Sequence, residues 1–220
     1  MAGCLRRAFN SDRKGCRIMG KLFYIMGKSA TGKDTIYEYV LAQSELALKP
    51  LVMYTTRPIR ANETDGVQYH FVTEEEYHAM DAESRVIEMR MYHTVHGPWY
   101  YFTADGSAID LDRYNYLALG TLESFQKVRA YYGEERVLPI YIEVEDGNRL
   151  ERALKRERKQ NHPNFSEVCR RYLADEEDFS EEKIRQAGIL RRFANNAGRE
   201  DCMEEVTAYI RQALALDGVS

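Results

Sequence analysis

The sequence predicts an α/β fold in which a parallel sheet forms the core and helices cross over between its strands. Short apolar runs typical of buried strands alternate with helical patterns along the chain. The length of 220 residues suits one core domain with small inserts, and the 44% hydrophobic fraction is enough for a packed interior. The first apolar run also leads directly through a glycine-bearing loop into a helical pattern. These three observations place the chain among the α/β proteins.

The core strands are expected at five places. The first run, Leu22–Met26, consists of apolar and aromatic residues, and the runs at 116–119 and 137–144 have the same character. Two shorter segments, 51–54 and 192–194, complete the set. Because each strand is followed by a helical pattern, the strands are predicted to lie parallel.

The helices are predicted from apolar periodicity and charge. The first helical segment places Ile36, Tyr39, Val40 and Leu41 at helical spacing, and a later one is strongly charged. Helices are therefore expected at 35–43, 124–132, 148–158, 166–187 and 202–216.

The stretch 55–103 differs from the rest of the chain. It is rich in aromatic residues and contains strand-like pieces at 67–72 and 86–92 and a helical piece at 74–80. We expect an insert built on a small sheet, inside a core formed by residues 19–54, 104–150 and 188–220. Residues 1–18 are basic but lack an apolar segment, so they are predicted to be a disordered extension or an upstream start rather than a secretory signal.

Composition argues against several functional classes. The formal net charge of -4 provides no global basic field for nucleic acid. No apolar run approaches the roughly 18 residues of a membrane span. The cysteines form no C-x-x-C pair, which disfavours a zinc site or a disulfide framework and predicts a reducing cytoplasm. They are Cys4, Cys16, Cys169 and Cys202.

The loop after the first strand fits the pattern G-x-x-x-x-G-K, and a helical segment follows it. Glycines let backbone N–H groups turn around an anion, the helix N-terminus adds positive potential, and Lys33 reaches the terminal phosphates. An ordinary strand-to-helix turn is the alternative. The candidate ATP site comprises Gly27, Lys28, Ser29, Ala30, Thr31, Gly32, Lys33, Asp34 and Thr35.

The residue after the lysine departs from the pattern. A Ser or Thr hydroxyl usually ligates Mg²⁺ at this position, whereas this chain has Asp34 followed by Thr35. A carboxylate is also a ligand for Mg²⁺. Either Asp34 holds the metal, directly or through water, or Thr35 takes part and Asp34 points elsewhere.

A second constellation lies between residues 55 and 71. Arg57 and Arg60 stand three apart, and Tyr69 follows nine residues later. Two guanidinium groups and a phenol are able to enclose a phosphate monoester. The alternative for this segment is a polar loop that ends in a strand.

At this segment the chain resembles the guanylate kinase family, as a divergent member. The family pattern T-T-R-x-x-R-x-x-E-x-x-G-x-x-Y-x-F matches at every defined position from Thr55 to Phe71. Glu88 stands nineteen residues after the tyrosine, as in the family, and a Tyr-Tyr pair ends at Tyr101. The resemblance runs from about residue 21 to residue 216.

The resemblance implies a P-loop nucleotide kinase of purine nucleotide metabolism that uses ATP, Mg²⁺ and GMP, with an acceptor-binding insert at 55–103 and a helical lid at 151–187. It implies no nucleic acid or membrane partner, and it leaves the oligomeric state open. Phosphate ligands of the acceptor are then Arg57, Arg60, Tyr69 and Tyr101. Glu88 accepts hydrogen bonds from guanine, and Asn195 lies near the adenine of ATP. Among the arginines of the lid region we favour Arg158 and Arg171 for the transferring phosphoryl group.

Three positions depart from the family. Met53 replaces a serine that helps to bind guanine, and Leu119 and Thr121 replace two aspartates. Thr121 retains a hydroxyl for the guanine edge. For Glu88 the alternative is a solvated strand residue. These departures leave two other functions open, a kinase of this fold for another phosphorylated acceptor and a non-catalytic binding module. The intact Lys33 argues against the module.

Overall fold

The computed structural model describes residues 20–94, 97–106 and 109–217. The strands are β1 (Leu22–Met26), β2 (Leu48–Pro50), β3 (Tyr54–Thr55), β4 (His70–Phe71), β5 (Val86–Thr94), β6 (Gly97–Ala104), β7 (Asn115–Gly120), β8 (Val137–Glu143) and β9 (Arg192–Ala194). The helices are α1 (Lys33–Leu41), α2 (Glu74–Ala82), α3 (Leu122–Tyr132), α4 (Asp146–Glu157), α5 (Phe165–Asp178), α6 (Glu181–Gln186) and α7 (Arg199–Asp217). The predicted extension at residues 1–18 lies outside the described residues.

The core is a parallel sheet with the strand order β2-β7-β1-β8-β9. Its central strand β1 is buried at every position, and its side chains alternate between two hydrophobic clusters. Helices α3 and α6 contribute Phe125 and Ile184 to one cluster, whereas α1 and α7 contribute Ile36 and Val206 to the other. Because both faces of the sheet are covered, its strands read as continuous apolar runs. The predicted α/β fold class is confirmed.

The insert forms a separate mixed sheet with the strand order β4-β3-β6-β5. Strands β5 and β6 form an antiparallel hairpin, and the short strands β3 and β4 pair in parallel. Helix α2 begins with a capping box between Thr73 and Glu76, and its Tyr77 packs against Phe102 in a small hydrophobic cluster. The insert therefore has packing of its own that positions the face of β5 and β6.

Two strand predictions for the first half of the chain were wrong in extent. Only Tyr54 of the strand expected at 51–54 lies in a strand, because the chain leaves the core sheet after Pro50 and joins the insert sheet at β3. The strand expected at 67–72 shrinks to β4, since a turn at Gly66 (φ 77°) precedes it and Asp65 accepts the N–H of Phe71 at 2.7 Å. Strand β6 was not predicted. Where these strands begin and end depends on which sheet supplies the partner strand, which the local sequence does not show.

The helix expected at 166–187 is two helices, α5 and α6. The break falls at Phe179, which is buried and stacks on Tyr141 with ring centroids 5.8 Å apart. A continuous helix would carry the chain past the core, whereas the break lets α6 bury Ile184 there. The other predicted core elements agree with the structure to within a few residues at each end. Among the described residues, no helix is long and apolar enough to cross a membrane.

Candidate functional site

The loop between β1 and α1 is shaped for close backbone approach. A Cβ atom at Gly27 would lie 2.5 Å from the carbonyl oxygen of Ile142 on β8, so only glycine fits. Gly32 has φ 84° and stands directly before α1, so the chain enters the helix from a left-handed residue. The N-terminus of α1 therefore opens directly onto the loop, which is the arrangement that binds anions in proteins.

Asn195 packs against this loop and holds it by a hydrogen bond. Its side-chain amide donates to the carbonyl oxygen of Thr31 at 2.8 Å, and its backbone N–H donates to Glu143 at 2.8 Å. The residue is only 3% exposed. The structure places Asn195 against the loop between β1 and α1, and its expected position near the adenine of ATP stays a prediction. The next residue, Asn196, is exposed and accepts the N–H of Glu145 at 2.9 Å.

The candidate metal ligands lie in the first turn of α1. Asp34 and Thr35 are exposed, and the Asp34 carboxylate lies 3.8 Å from the Lys33 ammonium. In the part of the chain that the structure describes, no cluster of three or more His, Cys, Asp or Glu side chains could hold a metal ion. One carboxylate and one hydroxyl still fit Mg²⁺, because this ion usually takes one or two carboxylates together with water and substrate phosphates.

An ionic cluster around the buried Arg149 connects the loop to α4 and α5. The N–H of Ser29 donates to Asp175 at 2.8 Å, and Lys28 pairs with Glu176 at 2.7 Å. Arg149, only 1% exposed, pairs with both carboxylates and stacks on the ring of Tyr172. Sequence reasoning missed Arg149, because a charged helix does not reveal which of its arginines turns inward.

The two arginines favoured for phosphoryl transfer occupy different positions. Arg171 is exposed and takes no part in the ionic cluster around Arg149. Its Nε donates a hydrogen bond to Glu167 at 2.7 Å. It nevertheless lines a cavity of about 490 Å³ together with Ser29 and Arg149. Arg158 caps the carboxyl end of α4, is exposed, and lies outside the lining of this cavity. The structure thus brings Arg171, but not Arg158, toward the phosphate loop.

Arg57 is the anchored arginine of the insert. It is 4% exposed and forms a two-pronged ion pair with Glu63 at 2.7 and 2.5 Å. This bond lowers the pKa of Glu63 to about 2 and raises the pKa of Arg57. Glu63 also accepts the backbone N–H of Arg60 at 2.9 Å, so one carboxylate organises both arginines.

The tyrosines predicted to bind the acceptor phosphate lie beside Arg57. Its guanidinium carbon is 5.3 Å from the centre of the Tyr69 ring, and the rings of Tyr69 and Tyr101 are 5.6 Å apart. The side chain of Arg60 is exposed at the edge of this group. Three of the four predicted phosphate ligands therefore meet in the structure, and the fourth flanks them.

Glu88 is buried, with 3% exposure, so its interpretation as a solvated strand residue is wrong. Its two carboxylate oxygens accept hydrogen bonds at 3.0 Å from the hydroxyls of Thr103 and Ser124. Thr121 donates to the Ser124 hydroxyl at 3.1 Å and accepts the N–H of Ser124 as the cap of α3. Thr121 therefore reaches Glu88 through Ser124.

A second arginine that sequence reasoning missed is Arg90. It approaches Glu88, with 3.7 Å between Nε and the carboxylate oxygen, and it contacts the sulfur of Met53 at 3.6 Å. Alternation along β5 provided a signal, because residues two apart on a strand share a face. Arg90 thus contacts Met53 and lines a cavity with Thr121, which are two of the three positions that depart from the family pattern.

Comparison with known proteins agrees with this geometry. The chain is 39% identical over 87 residues to the guanylate kinase of Neisseria meningitidis serogroup A, which covers 40% of each protein. It is 28% identical over 200 residues to the guanylate kinase of Porphyromonas gingivalis, covering 90% of this chain and all of that one. The alignment with the Neisseria meningitidis protein thus spans well under two thirds of that relative's length.

Solved structures show the same fold. The crystal structure of guanylate kinase from Anaplasma phagocytophilum superposes with a TM-score of 0.54 at 18% identity, over 88% of this chain and 86% of that one. The family model for guanylate kinase matches residues 19–180, which is well over half of the sequence. The chain belongs to the guanylate kinase family.

Proposed function

We propose that this protein transfers the γ-phosphoryl group of ATP to a nucleoside monophosphate, with GMP as the acceptor and GDP as the product. The observation that carries the proposal is that the chain has two candidate anion sites, one in the core and one in the insert. A glycine loop at the N-terminus of α1 belongs to the core, and the group of Arg57, Tyr69 and Tyr101 belongs to the insert. Phosphoryl transfer requires two phosphorylated substrates held close together.

The core residues are proposed to hold the phosphates of ATP. Backbone N–H groups of the loop and the N-terminus of α1 surround the anion, and Lys33 extends from the first turn of α1. The Ser29 N–H, which donates to Asp175, would exchange that carboxylate for a phosphate oxygen. Arg171 and Arg149, which line the adjacent cavity, are proposed to neutralise the transferring group.

The insert residues are proposed to position the acceptor. Arg57, held by Glu63, and Arg60 bind the phosphate of GMP, and the phenols of Tyr69 and Tyr101 add hydrogen bonds. The acceptor oxygen is already an anion, so the reaction calls for no general base. Orientation and charge neutralisation therefore account for the rate.

Mg²⁺ would be held by Asp34, with Thr35 as the second candidate. When bound, the ion neutralises charge on the β- and γ-phosphates. The exposed carboxylate beside Lys33 supports this assignment, since it borders the phosphate loop. We also propose a P-loop mechanism of phosphoryl transfer. The cysteines form no C-x-x-C pair, which favours a reducing compartment, so a cytoplasmic location is part of the proposal.

A coupled kinase assay with ATP and Mg²⁺ tests the function against GMP, dGMP, AMP, CMP and UMP. GMP should lead, because Glu88 accepts from the ring N–H and amine of guanine, whereas adenine lacks this donor pair. Lys33→Ala should lower turnover by several orders of magnitude. Lys49→Ala, on the exposed edge strand β2, is the matched control and should retain activity.

The result separates the remaining functions. A wild-type protein that neither binds ATP nor phosphorylates any monophosphate would be a binding module. An acceptor that exceeds GMP tenfold would keep the kinase chemistry and overturn the assignment of GMP.

A further inference from the structure

Arg90 occupies the strand face that the acceptor residues share. In the β5–β6 ladder it stands directly opposite Tyr101, just as Glu88 stands opposite Thr103. Directly opposed residues of an antiparallel pair lie on the same face of the sheet, and residues two apart on a strand do as well. Arg90, Glu88 and Tyr101 therefore face the same space.

The guanidinium of Arg90 is poorly satisfied where it lies. Its Nε is buried and has no hydrogen-bond partner among the described residues. The Glu88 oxygen at 3.7 Å is beyond hydrogen-bond distance, and the Met53 sulfur at 3.6 Å is a weak acceptor. A buried donor without an acceptor is unfavourable, so this group is suited to an acceptor that arrives with a ligand.

Two cavities meet at this arginine. One, of about 450 Å³, is lined by Arg90 and the aromatic rings of Tyr69, Trp99 and Tyr101. The other, of about 460 Å³, is lined by Arg90 and by Thr121 at the start of α3. Aromatic walls beside a cation suit a planar ring that carries hydrogen-bond acceptors. Glu88, two residues from Arg90 on the same face of β5, would supply the acceptor for donors on that ring.

We propose that Arg90 determines base specificity by donating hydrogen bonds to O6 and N7 of guanine, while Glu88 accepts from the ring N–H and the exocyclic amine. This proposal rests on GMP being the acceptor. An arginine fork on O6 and N7 is the commonest specific contact to guanine in protein–DNA complexes. Adenine places an amine donor where guanine has O6, so the same fork would meet a donor instead of an acceptor.

The neighbouring charge argues against a second phosphate as the ligand of Arg90. The Glu88 side chain is 1% exposed and lies 3.7 Å from the guanidinium. A phosphate at Arg90 would therefore face a buried carboxylate at short range, which is repulsive in a medium that screens poorly. A neutral base that donates to one residue and accepts from the other satisfies both.

The test compares GMP with three analogues by kcat/KM. 7-Deaza-GMP lacks N7, IMP keeps O6 and N7 but lacks the exocyclic amine, and AMP lacks O6. The wild type should prefer GMP over 7-deaza-GMP by about tenfold or more. Arg90→Met should lower kcat/KM for GMP and for IMP by the same factor, roughly 5- to 150-fold, and abolish the preference over 7-deaza-GMP. Its kcat/KM for AMP should change little.

Arg85→Met is the matched control, since Arg85 directly precedes strand β5 of the same hairpin but pairs with Glu83 at 3.2 Å. It should leave the order of the four substrates unchanged. A loss in Arg90→Met that is equal for GMP and AMP, or no loss at all, would overturn the role of Arg90 alone. The wild-type comparison of GMP with 7-deaza-GMP decides the matter even if Arg90→Met does not fold, because equal use of the two contradicts the proposal. A wild type that phosphorylates CMP or UMP but not GMP would overturn the proposed function as well.

Discussion

The hydrogen bond from Ser124 to the buried carboxylate of Glu88 should contribute to the free energy of unfolding of the protein. Ser124 is 1% exposed, and its hydroxyl donates to Glu88 at 3.0 Å while accepting from Thr121 at 3.1 Å. Ser124→Ala removes this donor, so one carboxylate oxygen of the buried Glu88 loses its hydrogen bond from Ser124. A hydrogen bond to a charged group contributes about 1.5–3 kcal/mol, so we expect the free energy of unfolding to fall by that amount.

Thermal and urea denaturation measure this loss. For a chain of this size, each kcal/mol lowers Tm by roughly 2–4 °C, so the expected shift is about 3–12 °C. In a Glu88→Gln background the acceptor is neutral, and the cost of Ser124→Ala should decrease to about 1 kcal/mol. The difference between the two backgrounds isolates the contribution of the charge.

Ser166→Ala is the control, because Ser166 is an exposed serine in the first turn of α5. Its effect should remain within about 0.5 kcal/mol. An equally small effect for Ser124→Ala, or an equal cost in both Glu88 backgrounds, would refute the reasoning. The hydroxyl would then not stabilise an ionised Glu88.

Other variants test the remaining contacts. Arg57→Ala should raise the KM for the acceptor by a factor that corresponds to about 2–4 kcal/mol and leave the KM for ATP nearly unchanged; equal losses for both substrates would mean that the arginine is misplaced. Asp34→Asn should weaken activity most at limiting Mg²⁺, and Asp34→Ser should restore part of it; full activity of Asp34→Ala under these conditions would exclude the carboxylate as a ligand. Because the folded-state pKa of Glu63 is lowered to about 2, its stabilising contribution is present above the usual carboxylate pKa and lost as pH falls toward 2, so Glu63→Gln should flatten the acid side of the stability curve. Burial raises the pKa of the Cys202 thiol to about 11, so in native protein at pH 8.5 iodoacetamide should modify the exposed Cys169 and spare Cys202, as peptide mass mapping would show.

Motifs with local causes could be read from the sequence. The phosphate loop follows from a strand, two glycines, a lysine and a helix start that adjoin one another, so neighbouring residues determine its backbone. The ion pair between Arg57 and Glu63 was not predicted, although it joins residues only six apart in the T-T-R-x-x-R-x-x-E segment. The alternation of strands and helices likewise predicted the parallel core.

Contacts between distant residues could not be read in this way. The Ser29 N–H meets Asp175 across 146 residues, and Ser124 meets Glu88 across 36. Period-2 alternation placed Glu88 on one face of a strand but left open whether that face is buried or solvated. The packing of α3 against β5 helps to bury this carboxylate, whereas Arg90 lies close to it because the two residues stand two apart on β5. The sequence by itself determined the glycine loop between β1 and α1 and the alternation of strands and helices, because their causes are local. The tertiary structure decided which charged side chains leave water and meet, because burial is a property of the whole fold.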